Sequence, residues 1–119
     1  MTVKLKTARK TDRDYISGPQ LHNALKEWYE SGDEEIPKFV YEGIMQICTR
    51  LGSKSNFRNY TYLDEMIGYA IVMCIRALNE KKYDPNNFNN PFAYFTQIAH
   101  NEFRRIIKLE HKETYIKHK

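Results

Sequence analysis

The apolar residues of this 119-residue chain recur at intervals of three and four, and proline, glycine and asparagine cut that pattern into four segments. The interval matches the ~3.6 residues per turn of an α-helix, and no segment alternates apolar with polar residues as a half-buried strand requires. Ser17-Gly18-Pro19 reads as an N-cap with an early-turn proline, opening a helix that carries Leu21, Leu25, Trp28 and Tyr29 and stops at Gly32. Pro37 opens a second helix with Val40, Ile44, Ile47, Cys48 and Leu51 on one side and Gly52 as its expected C-cap. After the polar loop SKSNFRNY, Thr61 is the expected N-cap of a third helix, with Asp64 placed to complement its exposed N–H groups. That helix runs to about Glu80, and Asn90-Pro91 starts a fourth that can reach Tyr115. The expectation is an all-α domain of about four helices over 17–115, with a basic, flexible N-terminal arm at 1–16 and a tail at 116–119.

A chain of this length holds one core. Its 29% charged residues and the absence of an apolar run near ~18 residues exclude a membrane span. The opening MTVKLKTARKTDRD has no apolar stretch of signal-peptide type. Cys48 and Cys74 each sit in a helical apolar pattern and read as buried free thiols, which fit a reducing cytosol. The net charge of +4 is unevenly spread. Residues 1–16 hold five Lys/Arg against two Asp, and 104–119 hold six against two Glu, whereas 17–103 hold eight basic and eleven acidic residues. Basic ends around an acidic body suit a chain with two partners, phosphate at one place and a basic protein surface at another. Ordinary solvated tails are the plain alternative.

Two helices carry a second stripe beside their core sector. In the third, Leu63, Ile67, Ala70, Ile71, Cys74, Ile75 and Leu78 share the apolar sector, and Glu65, Tyr69, Val72 and Arg76 form a separate line. An acid, an aromatic, an aliphatic and a base on one line suit docking against another protein's helices, or packing on a neighbouring helix of the same domain. In the fourth, Phe95, Ile98, Ala99, Phe103, Ile106 and Leu109 form the core sector. Tyr94, Gln97, Asn101, Arg104 and Lys108 fall within roughly 80° of one another elsewhere. The order along that line is aromatic, two amides, two cations. An aromatic stacks on an unpaired base, amides hydrogen-bond base edges, and cations hold phosphates. A surface face with a partly buried tyrosine would show the same spacing.

The segment LDEMIGYAIVMCIRALNEKKYDPNNFNNPFAYFTQIAHNEFRRIIK resembles the second conserved region of the sigma-70 family of transcription initiation factors. An acidic-started helix leads to an FD-like turn, here Tyr83-Asp84. A W/Y-x-x-x-I-A-x-N helix follows, here Tyr94, Ile98, Ala99 and Asn101. Within the family the pattern is most similar to the late-promoter branch of T-even-type phages. That similarity extends upstream through LGSKSNFRNYT to YISGPQLHNALKEWYE, about residues 15–115.

The resemblance implies a sigma region 2-like helical fold. It implies that the helix at 63–80 docks on the clamp helices of the largest subunit of bacterial core RNA polymerase, through Glu65, Tyr69, Val72 and Arg76. The family usually has an acid at the position of Tyr69 and a polar residue at Gly68. It implies also that the helix at 91–108 captures the non-template strand of an AT-rich minus-10 promoter element. Tyr94 matches the aromatic that stacks where the first melted adenine leaves the duplex. Gln97 stands where primary sigma factors have tryptophan, Asn101 matches the amide that reads the last paired step, and Arg104, Arg105 and Lys108 follow the duplex phosphates. Taking a base out of the stack costs a few kcal/mol, and an aromatic platform returns on the order of 1–3 kcal/mol per base.

The expected function is therefore initiation at a TATA-type phage late promoter in the cytoplasm of an infected bacterial host. Coupling to a sliding clamp or coactivator is expected to run through a separate protein. The phage relatives end in an acidic-hydrophobic segment, whereas this sequence ends in the basic ETYIKHK.

No Gly-rich phosphate loop, HExxH or nucleophile elbow occurs, and the four histidines are scattered, so neither an enzyme nor a cofactor nor a metal is expected. His100, beside the fourth helix's stripe, reads as a polar surface residue. The main rival is a phage protein that grips the host polymerase without reading DNA. A free-standing repressor comes third and requires salt-sensitive binding to duplex DNA without polymerase.

Overall fold

Helices form where the punctuation falls, although two of their ends are built differently from the sequence expectation. The computed structural model describes residues 15–117, with side chains described as far as His111. It contains α1 (Gly18–Ser31), α2 (Lys38–Gly52), α3 (Leu63–Asn79) and α4 (Pro91–Lys117). Among the described residues there is no strand, and no helix is long and apolar enough to cross a membrane. The arm expected at 1–16 lies outside the described residues up to position 14, and the tail lies outside them at 118–119. Tyr15 and Ile16 belong to the body instead. Ile16 is buried, and the Gln46 amide accepts from its N–H at 3.0 Å and donates to its carbonyl at 2.8 Å.

Ser17 and Gln20 form a reciprocal capping box, so two otherwise unpaired N–H groups at the start of α1 find acceptors. Gly32, at φ 75°, takes the left-handed conformation that ends α1 and that a Cβ would strain. Gly52, expected as the cap of α2, is instead its last helical residue, and Ser53 follows as the cap. The reason is tertiary. A Cβ at Gly52 would come within 2.9 Å of Ile67 Cδ1, so the missing side chain lets α3 approach. Gly43 serves the crossing of α1 over α2 in the same way, beneath Leu21. Thr61 is not the cap of α3. Tyr62 occupies that position without a side-chain bond, because the preceding loop already coils through turns with Phe57 buried edge-on against Phe103. Asp64 and Glu65 lie in the first turn, where their charge suits the helix dipole.

The junction between α3 and α4 is tied by local bonds. Lys82 N–H donates to the Ala77 carbonyl and Lys81 N–H to that of Leu78, a Schellman closure with Lys81 at φ 56°. A non-glycine residue there costs on the order of 1 kcal/mol. The Lys81 ammonium offsets it by lying 3.9 Å from the Trp28 ring centroid and 4.7 Å from that of Tyr29. Asp84 then accepts from Asn86 N–H and the Asn87 amide, and Asn90 caps α4 by accepting from Ala93 N–H.

The core gathers Leu21, Leu25 and Trp28 from α1, Val40, Ile44 and Cys48 from α2, Met66, Ala70, Cys74 and Leu78 from α3, and Phe95, Ala99 and Phe103 from α4. On α3 the buried line is centred on Met66, Ala70, Cys74 and Ala77, whereas Leu63, Ile67, Ile71 and Ile75 are half-buried. The sector is rotated because α4 as well as α2 packs on this helix. Cys74 Sγ lies 3.7 Å from the Phe95 carbonyl oxygen. In an antiparallel pair that register starts α3 opposite Ile106, so Leu109 has no partner there and is 50% exposed, not core as expected. Cys48 and Cys74 are free and buried, as the sequence indicates. The adjacent Cys48 thiol and burial push the Cys74 thiol well above its ordinary range.

Burial also pushes Tyr29 and Tyr83 up to about 12 from the ordinary 10.0, with the Asp84 carboxylate adding to the effect on Tyr29. Both groups favour the neutral phenol in the fold. Their contribution to stability is therefore intact below about pH 10 and is lost as pH rises towards about 12. Ultraviolet titration of tyrosinate is expected to show two of the nine tyrosines ionising late, together with alkaline unfolding. A single transition near 10 with the helices intact would contradict that packing.

Candidate nucleic-acid and protein interfaces

On α4, Gln97, Asn101, Arg104 and Lys108 are exposed along one line, and Tyr94 is half-buried at its start. Gln97 Nε2 donates to Asn101 Oδ1 at 2.9 Å. The pair keeps the Gln97 carbonyl as an acceptor and the Asn101 amide N–H groups as donors, both of which a base edge can use. Arg104 and Lys108 have no ion-pair partner among the described residues, so their full charge faces outward.

Tyr94 does not stand alone. It belongs to an aromatic corner at the α3–α4 junction with Tyr83, Phe88 and Phe95. Tyr83 is fully buried, and its hydroxyl lies 3.0 Å from His22 Nδ1. Phe88 stacks on Tyr83 at 5.7 Å between centroids and lies 5.3 Å from Tyr94 at a 43° tilt. With 43% of its surface exposed, Phe88 offers a second aromatic face beside Tyr94. No helical period marks Phe88, because it lies in an asparagine-rich turn. Its one signal was a lone aromatic in polar surroundings.

His100 was expected on the surface, but it is half-buried with its ring edge-on to Phe57 at 5.7 Å. On the other side of Thr96, a cleft is lined by Tyr15, Arg50, Lys54 and Phe92, with Arg50 over the Tyr15 ring at 4.6 Å. These cations from α2 and its loop extend the basic surface beyond α4, and no single-helix pattern could reveal them.

On α3, Glu65, Tyr69, Val72 and Arg76 are all exposed, Tyr69 at 56% and Val72 at 59%. The alternative that Tyr69 and Val72 pack on a neighbouring helix of the domain is therefore excluded. Arg76 reaches the Met73 sulfur at 3.8 Å. An exposed valine and tyrosine bracketed by an acid and a base form a small amphipathic strip.

Arg105 lines a cleft with Asn101, Arg104 and Lys108 and, in addition, carries an ion pair. Its Nε and Nη2 donate to Glu102 at 3.1 and 2.6 Å, and this carboxylate raises the guanidinium above its ordinary value. Glu102 is buried although it lies within a sector read as apolar, and the ion pair is what makes that burial tolerable.

Compared with known proteins, the chain matches no family model and shows no significant similarity to a curated protein.

Proposed function

We propose that this chain is a small sigma-type initiation factor that binds bacterial core RNA polymerase through α3 and reads and melts an AT-rich minus-10-type promoter through α4. The observation that carries the reading is a pair of surface stripes of different chemistry on adjacent helices, with Glu65, Tyr69, Val72 and Arg76 exposed on α3 and Gln97, Asn101, Arg104 and Lys108 exposed on α4 behind a half-buried Tyr94. Glu65, Tyr69, Val72 and Arg76 suit the clamp helices of the largest subunit, because their apolar centre and charged ends match a helix-to-helix contact. Tyr94 and Phe88 supply a stacking corner for an unpaired base of the non-template strand. Gln97 and Asn101 supply base-edge contacts, and Arg104 and Lys108 supply phosphate contacts.

Most of the binding energy comes from the polymerase and the selectivity from α4, which suits a domain with only a modest net positive charge. The site of action is the cytoplasm of a phage-infected bacterium.

The test is capture of a fork-junction oligonucleotide whose non-template strand is single-stranded and AT-rich. The protein alone is expected to bind it weakly, core polymerase alone non-specifically, and the two together tightly with preference for the AT-rich strand. Stable binding to core without that preference would replace the proposal with a polymerase-binding regulator that does not read DNA. Tight, salt-sensitive duplex binding without polymerase would favour a repressor.

A further inference from the structure

Eleven acids fall between positions 17 and 103, and five of them, Glu27, Glu30, Asp33, Glu34 and Glu35, lie within nine consecutive residues that hold no lysine or arginine. Neither stripe uses them. All five are exposed, in the second half of α1 and the turn that follows it, and none has an ion-pair partner among the described residues. Glu27 and Asp33 border a cleft of about 570 Å³ between α1 and the start of α2. That volume falls within the roughly 300–1,000 Å³ of ligand clefts. The lining holds no residue of α3 or α4, which separates it from both stripes.

Hydrogen bonds hold the acidic rim in place. The Ser31 hydroxyl donates to the Trp28 carbonyl at 2.7 Å and accepts from Asp33 N–H at 3.1 Å. Asp33 Oδ1 accepts in turn from Glu35 N–H at 3.1 Å, so one oxygen fixes the carboxylate and the other remains for an occupant. Other parts of the lining are apolar. Ala24 and Pro37 are half-buried, and Phe39 is 38% exposed. Trp28 belongs to the lining too, only 3% exposed, and its indole N–H has no hydrogen-bond partner among the described residues. A buried donor left unmet is costly, and an acceptor brought in by an occupant relieves that cost.

These features select one kind of occupant. Carboxylates repel the phosphates of nucleic acid and attract a lysine or arginine. An exposed phenylalanine beside a half-buried proline and alanine takes an apolar side chain. An unmet N–H takes a carbonyl oxygen, and a peptide carries all three groups side by side. We infer that the α1–α2 cleft binds a basic peptide segment of a partner protein, with a cation at Glu27 and Asp33 and a neighbouring apolar side chain against Phe39 and Pro37. The inference stands apart from promoter reading, since it uses neither stripe.

Trp28 is the chain's one tryptophan, so its emission reports the cleft directly. The full chain is titrated with three synthetic peptides of equal length, alternating leucine with arginine, serine with arginine, and leucine with glutamate. The leucine–arginine peptide is expected to give a saturable change in Trp28 emission and to bind roughly tenfold or more tightly than either of the others. A Glu27→Gln/Asp33→Asn variant is expected to weaken it roughly tenfold, and the amide oxygen introduced at position 33 keeps the bond to Glu35 N–H. Phe39→Ser is expected to weaken it similarly, and Asp64→Asn, outside the cleft, to leave it unchanged. Circular dichroism of each variant reports that the helices remain. No saturable change with the leucine–arginine peptide, equal binding of the serine–arginine peptide, or wild-type affinity in the Glu27/Asp33 variant would overturn the inference. Without peptide, emission that changes with protein concentration would assign the cleft to a second copy of the chain. Emission that changes on Lys4→Glu/Lys6→Glu replacement would assign it to the chain's own basic N-terminal segment, and either result would overturn the separate partner.

Discussion

Phe103→Ala is expected to lower the unfolding free energy by about 3–5 kcal/mol, a large part of the ~5–15 kcal/mol that a domain of this kind possesses. Phe103 is fully buried and meets Phe57 edge-on at 5.0 Å. Its removal takes away the ring that anchors the otherwise polar loop between α2 and α3. Denaturant unfolding followed by circular dichroism measures the loss. Leu109→Ala is the control on the same helix. Because Leu109 lies past the start of α3 and is half exposed, its replacement is expected to stay within about 0.5 kcal/mol of wild type. Equal losses at the two positions would contradict the antiparallel register of α3 and α4.

The second large effect is expected at Tyr94. Loss of one base-stacking platform is worth about 1–3 kcal/mol, so Tyr94→Ala is expected to reduce promoter opening by the assembled polymerase on the order of 10–100-fold. Tyr94→Phe should retain most of the activity, because the ring and not the hydroxyl does the stacking. Phe88→Ala is expected to give a smaller loss in the same assay, since Phe88 is exposed and only 5.3 Å from the Tyr94 ring. Reactivity of unpaired promoter thymines to permanganate measures opening directly. A thermal melt of each variant separates a lost platform from a loosened corner, because Tyr94 also packs against buried Tyr83 at 5.2 Å. If Tyr94→Ala opens promoters as well as wild type does, the aromatic corner serves the fold alone.

What was legible in the sequence was what depends on near neighbours. The Ser17 cap, the left-handed Gly32, and the Asn90-Pro91 start of α4 are fixed by bonds spanning a few residues, and each was readable from residue type and spacing. The two stripes were readable for the same reason, since exposure along a helix follows its period. Features set by a second helix were not. Gly52 carries the signature of a cap, yet it is spent on a close approach to Ile67, which lies in another element. Met66 and Ala77 were left out of the core because the direction from which α4 packs is absent from the pattern of α3 alone. Glu102 is a charged residue whose burial no helical period indicates, and its bond to Arg105 accounts for it. Phe88 and Tyr94 are brought together by the turn that Asp84 organises, and no periodicity encodes that meeting.

The central claim is that one domain carries two separable working faces, and run-off transcription by core polymerase from a TATA-type late-promoter template tests it most directly. Wild type is expected to give specific transcripts. Tyr94→Ala should lose them while still binding core, and Glu65→Arg should lose them because it no longer binds core. Specific transcripts that persist in Tyr94→Ala, or no transcript from a wild-type chain that binds core stably, would contradict the claim that α4 reads the promoter.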